Sequence, residues 1–177
     1  MSEPIVILTT TALERTLKRM AHEIAERNES AKDLGLIGVQ RGGAFLVQRL
    51  ALLLMDVLGQ AIPYGSLDVS MHRDDIATNA APNIQPTVIP FDITGKTLVL
   101  VDDVLFSGRT TRAALDALND FGRPQRVQLA VLIDRGHREL PIKADFVGKN
   151  VPTSLRERVN VQLKENGGQD IVTLEKL

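Results

Sequence analysis

The chain has 177 residues, a length that suits one domain of ordinary size. Apolar residues make up 44% of it and charged residues 24%, so it can bury a real core, while a formal net charge of −1 leaves nucleic acid binding only to a local patch. The absence of cysteine excludes disulfides and thiolate metal sites and fits a reducing cytoplasm.

Met-Ser-Glu-Pro at the start lacks the pattern of a secretory signal. Thr11-Ala-Leu-Glu14 reads as a capping box, and Leu13, Leu17, Met20 and Ile24 recur at helical spacing, which predicts an amphipathic helix over 11–28. Leu34–Val39 is a short apolar strand, Gln40–Gly43 a glycine-rich turn, and Ala44–Leu58 a helix stopped by Gly59. That helix is the most apolar stretch, but Gln48, Arg49 and Asp56 interrupt it and it is too short to span a bilayer, so no membrane partner is expected. Gly65–His72 alternates like a strand. Residues 73–90 are polar, with Pro82, Pro86 and Pro90, and read as one long loop. Thr97–Val101 is an unbroken apolar strand, Thr110–Phe121 a helix ending near Gly122, and Val127–Ile133 another buried-type strand. Short strands follow at Asp145–Gly148, Val159–Lys164 and Ile171–Leu174, the last two joined by the turn signal Asn166-Gly167-Gly168. Alternating strands and helices predict an α/β fold with a mostly parallel central sheet flanked by helices and a small C-terminal hairpin lobe. Residues 1–177 are expected to form a single domain.

The informative segment runs from Leu98 to Thr110: Leu-Val-Leu-Val-Asp-Asp-Val-Leu-Phe-Ser-Gly-Arg-Thr. An apolar strand ends in Asp102 and Asp103, then a loop of small and hydroxyl residues enters a helix. Ligands of open α/β sheets sit at the carboxyl ends of strands, and a phosphate sits well at a helix N-terminus. Gly108 lets the backbone curl, and Ser107, Thr110 and Thr111 add hydroxyl donors. Carboxylates do not bind phosphate; they suit ribose hydroxyls or a metal carried by the ligand. Two acids followed by a phosphate cradle describe a ribose 5-phosphate site. Gly95-Lys96-Thr97 is not a nucleotide P-loop, because Pro90 stands where its first glycine belongs and a strand follows; no G-x-G-x-x-G follows a strand. The plainer alternative is that the two acids only cap the following helix.

The thirteen-residue string resembles the motif of type I phosphoribosyltransferases that binds 5-phosphoribosyl-1-pyrophosphate (PRPP). Residues 65–75, 89–96 and 129–153 resemble the PyrR family of pyrimidine-operon attenuation proteins, often also uracil phosphoribosyltransferases. The resemblance implies a type I phosphoribosyltransferase fold and transfer of ribose 5-phosphate from PRPP to uracil, giving UMP and pyrophosphate. It implies that Asp102 and Asp103 hold the ribose hydroxyls. PRPP would further contact Val101, Val104 and Leu105, and Phe106, Ser107, Gly108, Arg109 and Thr110 would surround the 5-phosphate. Mg²⁺ would arrive on PRPP, with no protein metal site. Val39–Gly43 resembles the pyrophosphate loop, with Arg41 and Gly42 as contacts; Gly42 stands where an arginine is usual, so an arginine there is expected to tighten PRPP. Ser107 replaces a commoner threonine and His72 a common tyrosine. Arg73 would meet pyrophosphate from the long loop and Arg135 would lie near the substrate. Residues 147–159, Val159 included, would form a hood over the base, within a C-terminal lobe of about 135–177. The remaining alternative is a phosphoribosyltransferase acting only as a salvage enzyme, on uracil or on another base.

Arg15, Lys18, Arg19 and His22 form a basic stripe on the first helix, which Glu14, Glu23 and Glu26 also let one read as an ordinary solvated face. The resemblance places RNA contacts at Lys18, Arg19, His22, Arg138, Lys143, Lys149 and Arg156. It implies a hairpin in the leader of pyrimidine-biosynthesis messenger RNA as partner, with UMP or UTP as effector, and a homo-oligomer. Aromatics are only 3%, so stacking platforms for bases are scarce.

Overall fold

The computed structural model describes residues 3–29, 31–73 and 84–177. The strands are β1 (Ile5–Leu8), β2 (Leu34–Val39), β3 (Tyr64–Leu67), β4 (Thr97–Leu105), β5 (Arg126–Asp134), β6 (Phe146–Asn150), β7 (Glu157–Gln162) and β8 (Ile171–Lys176). The helices are α1 (Thr10–Arg27), α2 (Gly42–Leu58) and α3 (Arg109–Leu118). Strands β3-β2-β4-β5-β6 form a wholly parallel sheet in that order. Its inner strands are continuous apolar runs because helices cover both faces. Leu36, Val99, Val101, Ala130 and Leu132 pack with α1 and α2 on one face, and Ile37, Leu98, Leu100, Leu129 and Val131 pack with α3 on the other. This is the expected α/β architecture.

The C-terminal hairpin forms as expected, with Gly167 at φ 85° in its turn. It is not alone, however. The unpredicted strand β1 pairs antiparallel with β8, so the small lobe is a three-stranded sheet, β1-β8-β7. One arginine fastens this lobe to α2. Arg49 Nη1 and Nη2 donate to the two carboxylate oxygens of buried Asp170 at 2.8 Å each, and Nε and Nη2 donate to Glu165 at 2.8 and 2.5 Å. Hydrogen bonds from Arg49 outweigh burial and hold both carboxyls below the usual carboxylate range.

Several boundaries differ from expectation. Thr9 rather than Thr11 caps α1, accepting from the Ala12 N–H at 3.3 Å, so Glu14 lies beyond the capping position. Strand β3 stops at Leu67 because the Asp68 side chain and the His72 N–H, which donates to the Val69 carbonyl, turn the chain. Strand β4 continues past Val101 through both acids to Leu105, since β5 supplies partners as far as Asp134. Helix α3 ends at Leu118, short of Phe121. Of the expected long loop, residues 74–83 lie outside the described residues. Among the described residues no helix is long and apolar enough to cross a membrane.

Candidate active site

Adjacent strands β2 and β4 both lead into helices at one edge of the sheet, so their turns lie side by side. The β2–α2 turn holds exposed Arg41 and a cis Gln40–Arg41 peptide. Its glycines set its distance from β4. A Cβ at Gly43 would lie 2.3 Å from the Val101 carbonyl oxygen, and one at Gly42 would lie 2.3 Å from Asp103 Oδ2. An arginine at 42 therefore has to displace the Asp103 carboxylate, which opposes the tightening expected of it.

The β4–α3 turn walls a cavity of about 380 Å³. It is lined by Arg73, Asp102, Val104, Leu105, Phe106, Ser107, Gly108, Arg109, Thr110, Thr111 and Glu139. Gly108 has φ 91° at the N-cap of α3, a conformation that favours glycine, and its bare Cα lets Ile142 pack against the turn. The free N–H groups at the start of α3 suit an anion. Behind the turn, the segment after β5 holds its carbonyls. Arg138 Nη1 donates to the Phe106 carbonyl at 2.8 Å, and the Glu139 and Leu140 N–H groups donate to the Ser107 carbonyl at 3.0 and 3.2 Å. Arg109 Nε pairs with Glu139 at 2.7 Å. With its carbonyls tied back, the turn is left with donors for a phosphate. A larger cavity of about 560 Å³ lies between α2 and β3, but its wall is mainly apolar, with Val47, Ile62 and Phe91.

Asp102 is buried and Asp103 half-buried beside it. Asp102 Oδ1 accepts from the Asp103 N–H at 2.9 Å, and Asp103 Oδ1 accepts from the Val104 N–H at 2.8 Å. Burial, then the neighbouring Asp103 charge, pushes the Asp102 carboxyl well above the usual range, and the nearby Arg73 charge offsets this only in part. Such a pair offers a ribose diol two adjacent carboxyl groups at the end of β4.

The remaining expected site residues are placed differently. Arg135 is buried against the hood: Nε donates to Thr153 Oγ1 at 3.1 Å and Nη2 donates to the Ser154 and Glu157 carbonyls at 3.1 and 2.8 Å. Its guanidinium lies 4.2 Å from the Phe106 ring centre, so it joins the 153–157 segment to the β4–α3 turn. Val159 packs into the core on β7 rather than lining the cavity. Val101 does not line the cavity; its side chain packs in the core and its carbonyl lies against Gly43. Glu139, the partner of Arg109 in the cavity wall, was not anticipated.

Of the RNA-contact candidates, Lys18, Arg19 and His22 are exposed on α1. Arg19 donates to Glu23 at 2.7 Å and to the Gly148 carbonyl, while Lys149 Nζ reaches the Ile7 carbonyl at 3.3 Å. Arg19 thus sits where α1 meets β6, whereas Lys18 lines a hollow between α1 and α2 with Gln48, Arg49 and Leu52. Lys143 and Arg156 are exposed elsewhere, Lys143 lying with Leu115 on the α3 side. Arg138 is committed to Phe106, Ile142 and Asp134.

The model of the phosphoribosyl transferase domain matches residues 7–162. The fold is similar to that of the hypoxanthine phosphoribosyltransferase of Trypanosoma cruzi, at a TM-score of 0.73 and 18% identity over 97% of this chain and 96% of that one. The hypoxanthine-guanine phosphoribosyltransferase of Bacillus anthracis is similar at a TM-score of 0.71, 18% identity and 98% of each chain. The fold and the paired turns thus define a phosphoribosyltransferase, an enzyme class that uses PRPP with Mg²⁺. Sequence relatives narrow this further. Bifunctional protein PyrR of Chloroflexus aurantiacus is 57% identical over 95% of this chain and 93% of its own. The protein of the same name from Bacillus cereus is 49% identical over 98% of each. The chain belongs to the PyrR family of phosphoribosyltransferases.

Proposed function

We propose that this protein transfers the 5-phosphoribosyl group of PRPP to uracil, releasing pyrophosphate and forming UMP. We propose as its second role that, with UMP or UTP in the same site, it binds a hairpin in the leader of pyrimidine-biosynthesis messenger RNA. The observation that carries the first reading is the set of anion donors at the start of α3 beside the Asp102–Asp103 pair and the bare β2–α2 turn. In this reading the 5-phosphate lies against residues 106–110, the diol on the two carboxyls, and the pyrophosphate beside Arg41 and Arg73. Mg²⁺ enters as part of the substrate. As the bond to pyrophosphate breaks, positive charge grows on the ribose. The chain contributes by fixing both ends of PRPP and by placing carboxyl groups near that charge. Arg135 acts through the hood rather than on the substrate.

The second reading is supported by family membership and by the exposed cations Lys18, Arg19, His22 and Lys149, with Lys143 and Arg156 as outlying contacts. Exposed Leu52 and Met55 on α2 favour a homo-oligomer, and a chain without cysteine suits the cytoplasm. Purified protein given PRPP, Mg²⁺ and each nucleobase is expected to form UMP from uracil; turnover only with purines overturns the first reading. The leader hairpin is expected to bind more tightly with UMP, with log K falling against log salt by roughly 0.7–0.9 per phosphate contact. Lys18→Ala should weaken that binding and spare turnover. Equal binding to an unrelated hairpin refutes the second reading.

A further inference from the structure

The stretch leaving β3 and the stretch returning past it meet on a single carboxylate. Asp68 directly follows β3. Its Oδ1 accepts from the Ser70 N–H at 2.8 Å and the Ser70 hydroxyl at 2.5 Å, and its Oδ2 accepts from the Gln85 N–H at 2.5 Å. The Asp68 N–H donates to Thr87 Oγ1 at 3.0 Å. Just before it, Ser66 and Val88 exchange backbone hydrogen bonds of 2.8 Å each. Three donors converge on the Asp68 side chain, two on one oxygen and one on the other. Only a carboxylate serves all three, because an amide has one acceptor oxygen and turns donors toward the other partner. Hydrogen bonds to an ionised acceptor are also roughly twice as strong as neutral ones. Although burial opposes ionisation, the bonds from Ser70 and Gln85 hold the Asp68 carboxyl below its ordinary value.

The turn anchored in this way ends at Arg73. That residue lines the phosphate cavity together with Asp102, whereas Asp68 does not line it. We propose that Asp68 is a positioning residue for phosphoribosyl transfer: by tying the stem that ends in Arg73 to the returning stem at Gln85 and Thr87, it holds Arg73 against the PRPP site. The proposal rests on the PRPP reading of that cavity. It requires that disturbing Asp68 act on ligands that need Arg73 and spare those that do not.

The test is a double-mutant cycle in affinity for Mg–PRPP, read by titration calorimetry. Asp68→Asn and Arg73→Ala are each expected to weaken PRPP binding about tenfold, the worth of one charge-assisted contact. The double variant should be no weaker than Arg73→Ala alone. UMP, which lacks the pyrophosphate assigned to Arg73, should lose less affinity than PRPP in every variant. Thr87→Val cuts the same stem more gently and should cost PRPP about threefold, so the cycle survives if Asp68→Asn folds poorly. An unchanged PRPP affinity, equal losses for PRPP and UMP, or full additivity with Arg73→Ala overturns the proposal. Wild-type protein that binds PRPP without converting uracil refutes only the uracil reading and leaves the cycle valid. Wild-type protein that fails to bind PRPP refutes both.

Discussion

The two strand-to-helix turns at the edge of the sheet have similar plans and are held in different ways. The β4–α3 turn is tied from behind. Arg138, the Glu139 and Leu140 N–H groups and the Arg109–Glu139 pair fix its backbone from a segment some thirty residues later. The β2–α2 turn has no side-chain cap, and its place against β4 depends on close approach at Gly42 and Gly43. One turn is fixed by added contacts, the other by absent atoms. A polar clamp can lose one bond and keep its shape in part, whereas a glycine contact gives way once any side chain is added.

The largest expected effect therefore lies at the smallest residue. Gly42→Ala puts a methyl group where Asp103 Oδ2 now lies and should lower kcat/KM for PRPP roughly 10²-fold, the scale of a misplaced catalytic contact. Gly42→Arg should raise rather than lower the apparent KM for PRPP. Steady-state kinetics decide this, and an arginine variant with a lower KM would mean that Asp103 moves aside without cost. Arg138→Met, on the buttressed turn, should give a smaller loss. It removes three hydrogen bonds from a partly exposed guanidinium. We expect roughly tenfold in kcat/KM, with about 1–3 kcal/mol of stability by denaturant titration. A turnover loss larger than that of Gly42→Ala would reverse the comparison.

The same contrast governs what could be read from the sequence. An unbroken apolar strand, two acids, Ser-Gly and a helix form one local string, so the β4–α3 turn and the place of its cavity were legible in 98–110. The parallel sheet was legible too, since its buried strands carry no polar alternation. What escaped depends on distant partners. Ile5–Leu8 is only four apolar residues and becomes a strand because β8, at the other end of the chain, pairs with it. The Arg49 clamp joins residues 121 positions apart in Asp170 and 116 apart in Glu165. The family resemblance placed Arg138 among RNA contacts, and nothing nearby in sequence announced that it would also bind the Phe106 carbonyl. Gly42 stands where the family usually has an arginine, and what its bare Cα provides, room for the Asp103 carboxylate on the neighbouring strand, is a distant contact that no local pattern encodes.

The smallest expected effect concerns the acid pair that faces both turns. Asp102 lies beneath Asp103 and near Arg73, and burial, reinforced by the Asp103 charge, raises its proton affinity in the folded chain. The unfolded chain holds that proton less tightly. Between the ordinary aspartate value and the raised folded one, the folded protein thus binds more protons than the unfolded, and stability falls as pH rises. Asp102→Asn cannot ionise, and its amide oxygen can still accept from the Asp103 N–H. It should match wild type in acid and then exceed it as pH climbs through that window. The difference grows by at most about 1.4 kcal/mol per pH unit, or roughly 3–5 °C in Tm for a chain of this size. Thermal unfolding of the ligand-free proteins at a series of pH values measures it. If the two curves stay parallel, Asp102 is not the group that carries the extra proton. If wild type gains on the variant as pH rises, Arg73 outweighs burial and Asp103, and the Asp102 carboxyl is held below rather than above its ordinary value.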